Sequence, residues 1–363
     1  MRRFIECLLP YSTCNLNCSY CYIVQQNRRT ARQPEFEYSP EHIGRALSAE
    51  RLGGISYISI CGAGETLLPK EITGIAQNIL KQGHFVNITT NGTITHRHKE
   101  IVETIAPELL KRLHFAFSFH YLELLRTNKL ETFFNNVSLA REAGCSFVVQ
   151  INLCDEYMPH WDDIKEIVKK HTGALPQVTL TRDLDRRKYT IFTSRSKEEY
   201  AAIGREMNSP LFEFTLKNFM VKRREFCYAG DWSAKLNLAT GVMTSCYGNG
   251  IAQNIFKDPD KEIKFEAIGK NCIYDFCFNS SHFMSLGVIP EVATPSYADL
   301  RNREEAGWYT EEMKEFLSGR LSEDNEKYTG SRKALVNAKY RIMHLPRRAK
   351  MKLLDLHGLI SKK

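Results

Sequence analysis

Three thiols fall within eight residues near the N-terminus, Cys14-Asn15-Leu16-Asn17-Cys18-Ser19-Tyr20-Cys21, with three residues and then two between them. Thiolates in so short a loop can wrap one face of a small inorganic cube, because cysteines are the usual ligands of iron–sulfur clusters. A closed tetrahedral zinc site or [4Fe–4S] cube takes four protein ligands. No fourth lies nearby: the next cysteine along, Cys61, is forty residues on. The loop therefore leaves one metal corner for something that is not protein. The plain alternative is three structural or zinc-binding thiols.

Cys227, Cys246, Cys272 and Cys277 form a second group. Residues 234–238 alternate as a strand, Ala239-Thr240-Gly241 makes a turn, and 242–245 return toward Cys246. Such a hairpin carries one thiol before its first strand and one after its second, and the later pair completes four sulfurs around one centre. A saturated cluster and a structural zinc ribbon both satisfy that set. The other cysteines, Cys7, Cys61, Cys145 and Cys154, sit in or beside apolar runs, where a small buried hydrophobe is the ordinary role.

The elements that must position these groups are readable from periodicity. Strands are predicted at 3–9, 55–61, 85–89, 113–118, 146–152 and 177–180. Helices are predicted at 69–82, 96–112, 121–143, 161–171 and 196–207, with another opened by Ser39 as N-cap and Pro40 as first helical residue. Gly83, Gly144 and Gly173 follow three of them as C-caps. Six successive strand–helix units argue for a parallel sheet with helices outside, too few for a closed eight-stranded barrel but enough for an open, curved one. In such barrels the site lies at the C-terminal strand ends. There the chain places Gly62-Ala63-Gly64-Glu65-Thr66, Thr89-Thr90-Asn91-Gly92, Ser118-Phe119-His120-Tyr121, Asn152 with Asp155, and Arg182. Small residues let backbone approach a ligand, and an acid can receive an ammonium group. Each stretch also has a bland reading as turn composition or as a solvated polar residue.

The Cys-x3-Cys-x2-Cys loop, with an aromatic residue before its third cysteine, resembles the radical S-adenosylmethionine (SAM) superfamily. The resemblance implies that Cys14, Cys18 and Cys21 each hold one iron of a [4Fe–4S] cluster and that SAM binds the fourth iron. Tyr20 would lie against the adenine. Residues 62–66 are similar to the family's Gly-Gly-Glu-Pro motif, with Ala63 and Thr66 as departures, so Gly64 and Glu65 would hold the SAM amino group. Thr90, Asn91, Ser118 and Asn152 would contact SAM, and His120 the substrate. An electron from a donor such as flavodoxin or ferredoxin would cleave SAM to methionine and a 5′-deoxyadenosyl radical, which takes hydrogen from a substrate. The fold implied is a (β/α)6 partial TIM-type barrel. The second group resembles the twitch domain, the shorter relative of SPASM, which implies one auxiliary [4Fe–4S] cluster. Its closing pair is wider than the two-residue gap expected.

The resulting organisation is a barrel at 1–215, an auxiliary cluster domain at 216–290, and a helical extension with a basic tail at 291–363. With the barrel beginning at about residue 3, no peptide-binding domain is expected before it, which tilts the substrate toward a small polar metabolite or glycan precursor. The alternatives are peptide maturation by cross-linking or epimerisation, with Cys61 or Cys154 as thiol hydrogen donor, and a non-catalytic iron–sulfur or zinc protein.

Hydrophobic content of 43% and charged content of 25% suit a globular chain. Without an export signal or an apolar membrane span the expected compartment is the cytoplasm. From Arg332 onward ten Lys or Arg face one acid, Asp355, a net +9 that leaves the rest at −1. Helices are predicted at 308–320 and 333–340, and residues 347–356 and 359–360 continue the mixture of basic and apolar residues. A solvated surface helix accounts for the pattern. The sharper expectation is an amphipathic basic helix on an anionic membrane or an acidic partner. Nucleic acid is not expected, since no aromatic stacking face accompanies the charge.

Overall fold

The structure is a computed structural model that describes residues 1–32, 35–183, 189–247, 252–270, 272–274, 276–343 and 345. Six parallel strands, β1 (Phe4–Leu9), β2 (Tyr57–Gly62), β3 (Phe85–Thr90), β4 (Leu113–Ser118), β5 (Ser146–Leu153) and β6 (Gln177–Leu180), pair in sequence order. Helical segments lie between consecutive strands. That succession is the one expected of right-handed crossovers. β6 is an open edge, so the sheet makes the predicted (β/α)6 partial TIM-type barrel and does not close on itself. A short ribbon follows, β7 (Arg182–Asp183) with β8 (Thr190–Ile191).

Local signals account for most helix boundaries. Ser39 Oγ accepts from His42 N ahead of Pro40–Ala46, and Ser196 and Glu199 form a reciprocal capping box for Lys197–Arg205. Glu71–Lys81 and Trp161–Thr172 are each followed by a glycine at positive φ, Gly83 at 85° and Gly173 at 82°. Two predicted helices are broken. The 96–112 helix is split into Thr95–Thr104 and Pro107–Leu110, because proline drives Ala106 to an extended ψ of 140°. The 121–143 helix is split into Tyr121–Arg126 and Leu130–Glu142 by Asn128 at φ 52°, a conformation asparagine tolerates. The 308–320 helix is confined to Glu311–Ser318, capped by Thr310, because Trp308 and Tyr309 are buried ahead of it. The tail helix runs Gly330–Met343, longer than predicted, and the sequence patterns at 347–356 and 359–360 lie outside the described residues.

The hairpin of the second cysteine group, β9 (Ser233–Asn237) and β10 (Val242–Thr244), is continuous with the barrel sheet. β9 pairs parallel to β1 with Phe4 opposite Ser233 and Glu6 opposite Lys235, and β11 (Gln253–Asn254) extends the edge. The sheet thus runs β11-β10-β9-β1-β2-β3-β4-β5-β6. Residues after 290 brace the barrel at its N-terminal end. The Tyr57 hydroxyl is 3.1 Å from His114 Nδ1 and 3.4 Å from the Tyr297 hydroxyl, and the Arg303 guanidinium donates to the carbonyls of Leu175, Asn208 and Met207.

Candidate active site

The C-terminal strand ends open into a cavity of about 740 Å³. Its wall includes all three loop thiols, Cys14, Cys18 and Cys21, the strand ends carrying Gly64, Glu65, Thr90, Asn91, Ser118 and Asn152, and one thiol of the second group, Cys277. Three sequence-distant chemistries therefore share one chamber.

The cysteine loop is pinned to the strand ends behind it. Glu65 N donates to the Thr13 carbonyl at 2.9 Å, and the Tyr11 hydroxyl donates to the Glu65 carbonyl at 2.7 Å. Gly64 permits that approach, since a Cβ there would stand 2.0 Å from the Thr13 oxygen. Asn91 Nδ2 donates to Asn15 Oδ1 at 2.8 Å and points at Cys14 Sγ at 3.8 Å, and Leu16 N points at the same sulfur at 3.5 Å. Donors aimed at a sulfur suit a thiolate ligand. Arg29 braces the loop from outside through the carbonyls of Cys14 and Leu16.

Glu65 is 2% exposed and takes three donors: Thr90 Oγ1 at 2.6 Å and Leu67 N at 3.0 Å on Oε1, and Asn91 N at 2.8 Å on Oε2. Burial pushes its carboxyl up, and those bonds work against the rise. A carboxylate offers about four acceptor positions, so roughly one remains, on Oε2.

Tyr20 lines the cavity with its hydroxyl 2.6 Å from His120 Nδ1 and 3.0 Å from the Tyr157 hydroxyl. Burial lowers His120 to about 4, which keeps it neutral near pH 7. Ser118, Gln150, Asn152 and Thr179 line the wall beside it. Arg182 Nη1 donates to the Phe278 carbonyl at 3.0 Å, tying the start of β7 to the Cys277 loop. Asp155 is occupied otherwise, accepting from Thr193 Oγ1 and from Ser194 N and Oγ. Neither candidate hydrogen donor is part of the cavity wall: Cys154 is fully buried, and burial pushes its thiol up to about 12. Cys61 is half-buried on β2, its thiol within electrostatic reach of Glu6.

The four thiols of the second group lie close enough to feel one another: Cys227 senses Cys246, Cys277 and Cys272, and Cys277 senses Cys246 and Cys272. Burial raises Cys227, Cys246 and Cys277 alike, the second to about 12, so release of their protons needs a neighbouring cation. Among the described residues no three Cys, His, Asp or Glu side chains meet at a point that a single ion would occupy.

Glu6, which the motifs do not contain, lies behind the cavity wall and holds a lining residue. It is 5% exposed on β1, and its Oε1 accepts from Asn279 Nδ2 at 2.6 Å while Oε2 has no partner. Burial pushes its carboxyl up to about 7, with Tyr247 and Lys235 opposing. Asn279 and Tyr247 line the cavity beside the second thiol group. An acid within the apolar run Phe-Ile-Glu-Cys-Leu-Leu was the available signal. Tyr157 and Thr179 carried no comparable one.

Residues 8–171 match the family model described as the radical SAM superfamily. A protein named "Probable GTP 3′,8-cyclase" from Pyrobaculum aerophilum is 36% identical over 84 residues, 23% of this chain and 26% of that protein. The chain thus spans about a quarter of that curated relative. Among solved structures, SuiB of Streptococcus suis bound to S-adenosylmethionine superposes with a TM-score of 0.48 at 15% identity, covering 70% of this chain and 64% of SuiB. Native anSMEcpe with bound AdoMet gives 0.49 at 14% identity, covering 98% and 100%. The matched family model falls on the segment that carries the three-thiol loop and strands β2 to β5, and so residues 8–171 of this chain carry a radical SAM domain.

Proposed function

We propose that the chain reductively cleaves SAM and uses the 5′-deoxyadenosyl radical to take a hydrogen atom from a small polar metabolite or sugar-like precursor, which it oxidises or rearranges. The observation that carries this reading is that the three-thiol loop, the Glu65 cradle and Cys277 all open on one cavity. Cys14, Cys18 and Cys21 would hold the cluster that supplies the electron. Glu65 would receive the SAM ammonium on its remaining acceptor position, with Gly64 keeping that strand end close. Thr90 and Asn91 would hold Glu65 in place, and Ser118 and Asn152 would present polar atoms to the rest of SAM. Tyr20, fixed by His120 and Tyr157, would form the wall against the adenine.

Beyond SAM the chamber is walled by Tyr189, Tyr247, Phe276 and Phe278, with Arg182 and Asn279 among them. Flat apolar faces beside hydrogen-bonding groups suit a ring that is apolar on its faces and polar at its edges. Cys227, Cys246, Cys272 and Cys277 would hold one auxiliary cluster, saturated by protein ligands, to take the electron that a substrate oxidation releases. A flavodoxin- or ferredoxin-like protein would supply the reducing electron to the loop site.

The test is SAM cleavage by anaerobically reconstituted, dithionite-reduced protein. Release of 5′-deoxyadenosine by the wild type and its loss in the Cys14→Ala/Cys18→Ala/Cys21→Ala variant are expected; equal release by both would remove the assignment. Metal content separates the auxiliary cases. About eight irons per chain are expected, whereas about four with one zinc would make the second group a zinc ribbon.

A further inference from the structure

The helix Gly330–Met343 is held to the body along one side only. Val336 and Tyr340 are buried, and Asn337 Oδ1 accepts from Lys270 N at 2.8 Å. Lys339 pairs with Glu266 at 2.6 Å, and Lys333 lies 3.8 Å from Glu291. The other side is apolar and open. Leu335, Ile342 and Leu345 are 70%, 67% and 55% exposed, the three most exposed large apolar side chains among the described residues. Leu335, the exposed Ala338 and Ile342 recur at the three-and-four spacing that makes a single stripe on a helix, and Leu345 lies just past its end. Arg332 and Arg341 stand exposed on the same helix.

A cover for this stripe must take apolar side chains and supply negative charge. The chain's own residues from 346 onward supply apolar groups but not that charge: they carry Arg347, Arg348, Lys350, Lys352, Lys362 and Lys363 against Asp355, so their charge repeats that of the helix. The rest of the chain, at net −1, offers no large compensating field. An amphipathic helix with basic residues and a solvent-facing apolar stripe has the chemistry of an interfacial anchor, which asks for no shape-matched groove. We propose that the outer face of the helix Gly330–Met343 docks on an anionic lipid bilayer, with Leu335, Ile342 and Leu345 entering the headgroup boundary and the arginines among the lipid phosphates. The inference stands on this face alone and is independent of the reaction proposed above.

Full-length protein is mixed with extruded vesicles of phosphatidylglycerol or of phosphatidylcholine, and the sedimented fraction is measured at low and high salt. Retention by phosphatidylglycerol at low salt, weak retention by phosphatidylcholine, and release at high salt are expected. The variant Leu335→Glu/Ile342→Glu should lower retention roughly tenfold or more, since each change replaces an inserted apolar group by a charge. Arg341→Glu leaves the stripe intact and should lower retention as well, and it decides the matter should the double variant fail to fold. No retention of the wild type by phosphatidylglycerol at low salt, equal retention by both lipids, or variants that are retained like the wild type would each overturn the proposal.

Discussion

A methyl group at residue 64 would sit 2.0 Å from the Thr13 carbonyl oxygen, inside any tolerable contact. The backbone of the cysteine loop is that close to the end of β2, so Gly64→Ala must push the two apart. The expected result is a stable protein that assembles roughly half the iron of the wild type, because the loop site fails while the second group is untouched. Iron analysis after reconstitution reads this directly, and full iron incorporation would show that the contact is not needed. Glu65→Gln is a subtler probe. The amide cannot accept on both sides as the carboxylate does, and the one position left on Oε2 loses its charge. SAM affinity should fall about ten- to a hundredfold, the range for losing a hydrogen bond to a charged group. Anaerobic equilibrium dialysis would measure it, and unchanged affinity would separate Glu65 from SAM.

At the scale of elements, β4 and the helix Thr95–Thr104 share a core that resists acid poorly. His98 packs against Phe115 and Phe117, buried with neither ring nitrogen bonded, and burial lowers it to about 3. Its folded pKa lies below the unfolded value near 6.5, so the unfolded chain binds the proton first. Its contribution is fully present above pH 6.5 and is lost as pH falls toward 3. By pH 5 the loss should be about 2 kcal/mol. Denaturant unfolding of His98→Leu should show correspondingly less weakening between pH 7 and pH 5; an unchanged pH dependence would refute the assignment. Much of this level was readable in the sequence. The six strands carry dense apolar runs, and Ser39, Pro40, Gly83 and Gly173 are local stop and start signals that act without tertiary help. Pro107 was equally readable, and its effect on Ala106 breaks a helix that periodicity alone had run through. The parallel pairing of β9 with β1 was not readable, because a strand's partner 229 residues away leaves no mark in its own alternation. The same holds for Tyr20, His120 and Tyr157, whose hydroxyl-to-imidazole contacts exist only once three loops meet. Glu65 was legible as an acid at a strand end, but the three donors that leave it one acceptor position were not.

In the whole molecule, the tail helix reaches back to the second thiol group. Asn337 accepts from Lys270 N, and Gly269 pairs with Cys227 through a backbone bridge. A Cβ at Gly269 would stand 2.3 Å from Asn337 Oδ1, so helix and loop are in close register. Asn337→Ala should loosen the loop that carries Cys272 and lower auxiliary iron while leaving SAM cleavage intact. Iron content and 5′-deoxyadenosine release, measured on one preparation, separate those effects, and loss of cleavage with full iron would contradict the arrangement. No helix among the described residues is long and apolar enough to cross a membrane. On the proposed reading the three loop thiols would leave one iron corner for SAM, facing the cavity that Glu65 and Cys277 share. Electron–nuclear double resonance of the reduced protein, frozen with SAM labelled at its amino nitrogen, tests that corner directly. Magnetic coupling between the labelled nitrogen and the reduced cluster is the predicted result. A cluster signal that SAM leaves unchanged, with no nitrogen coupling, would contradict the account.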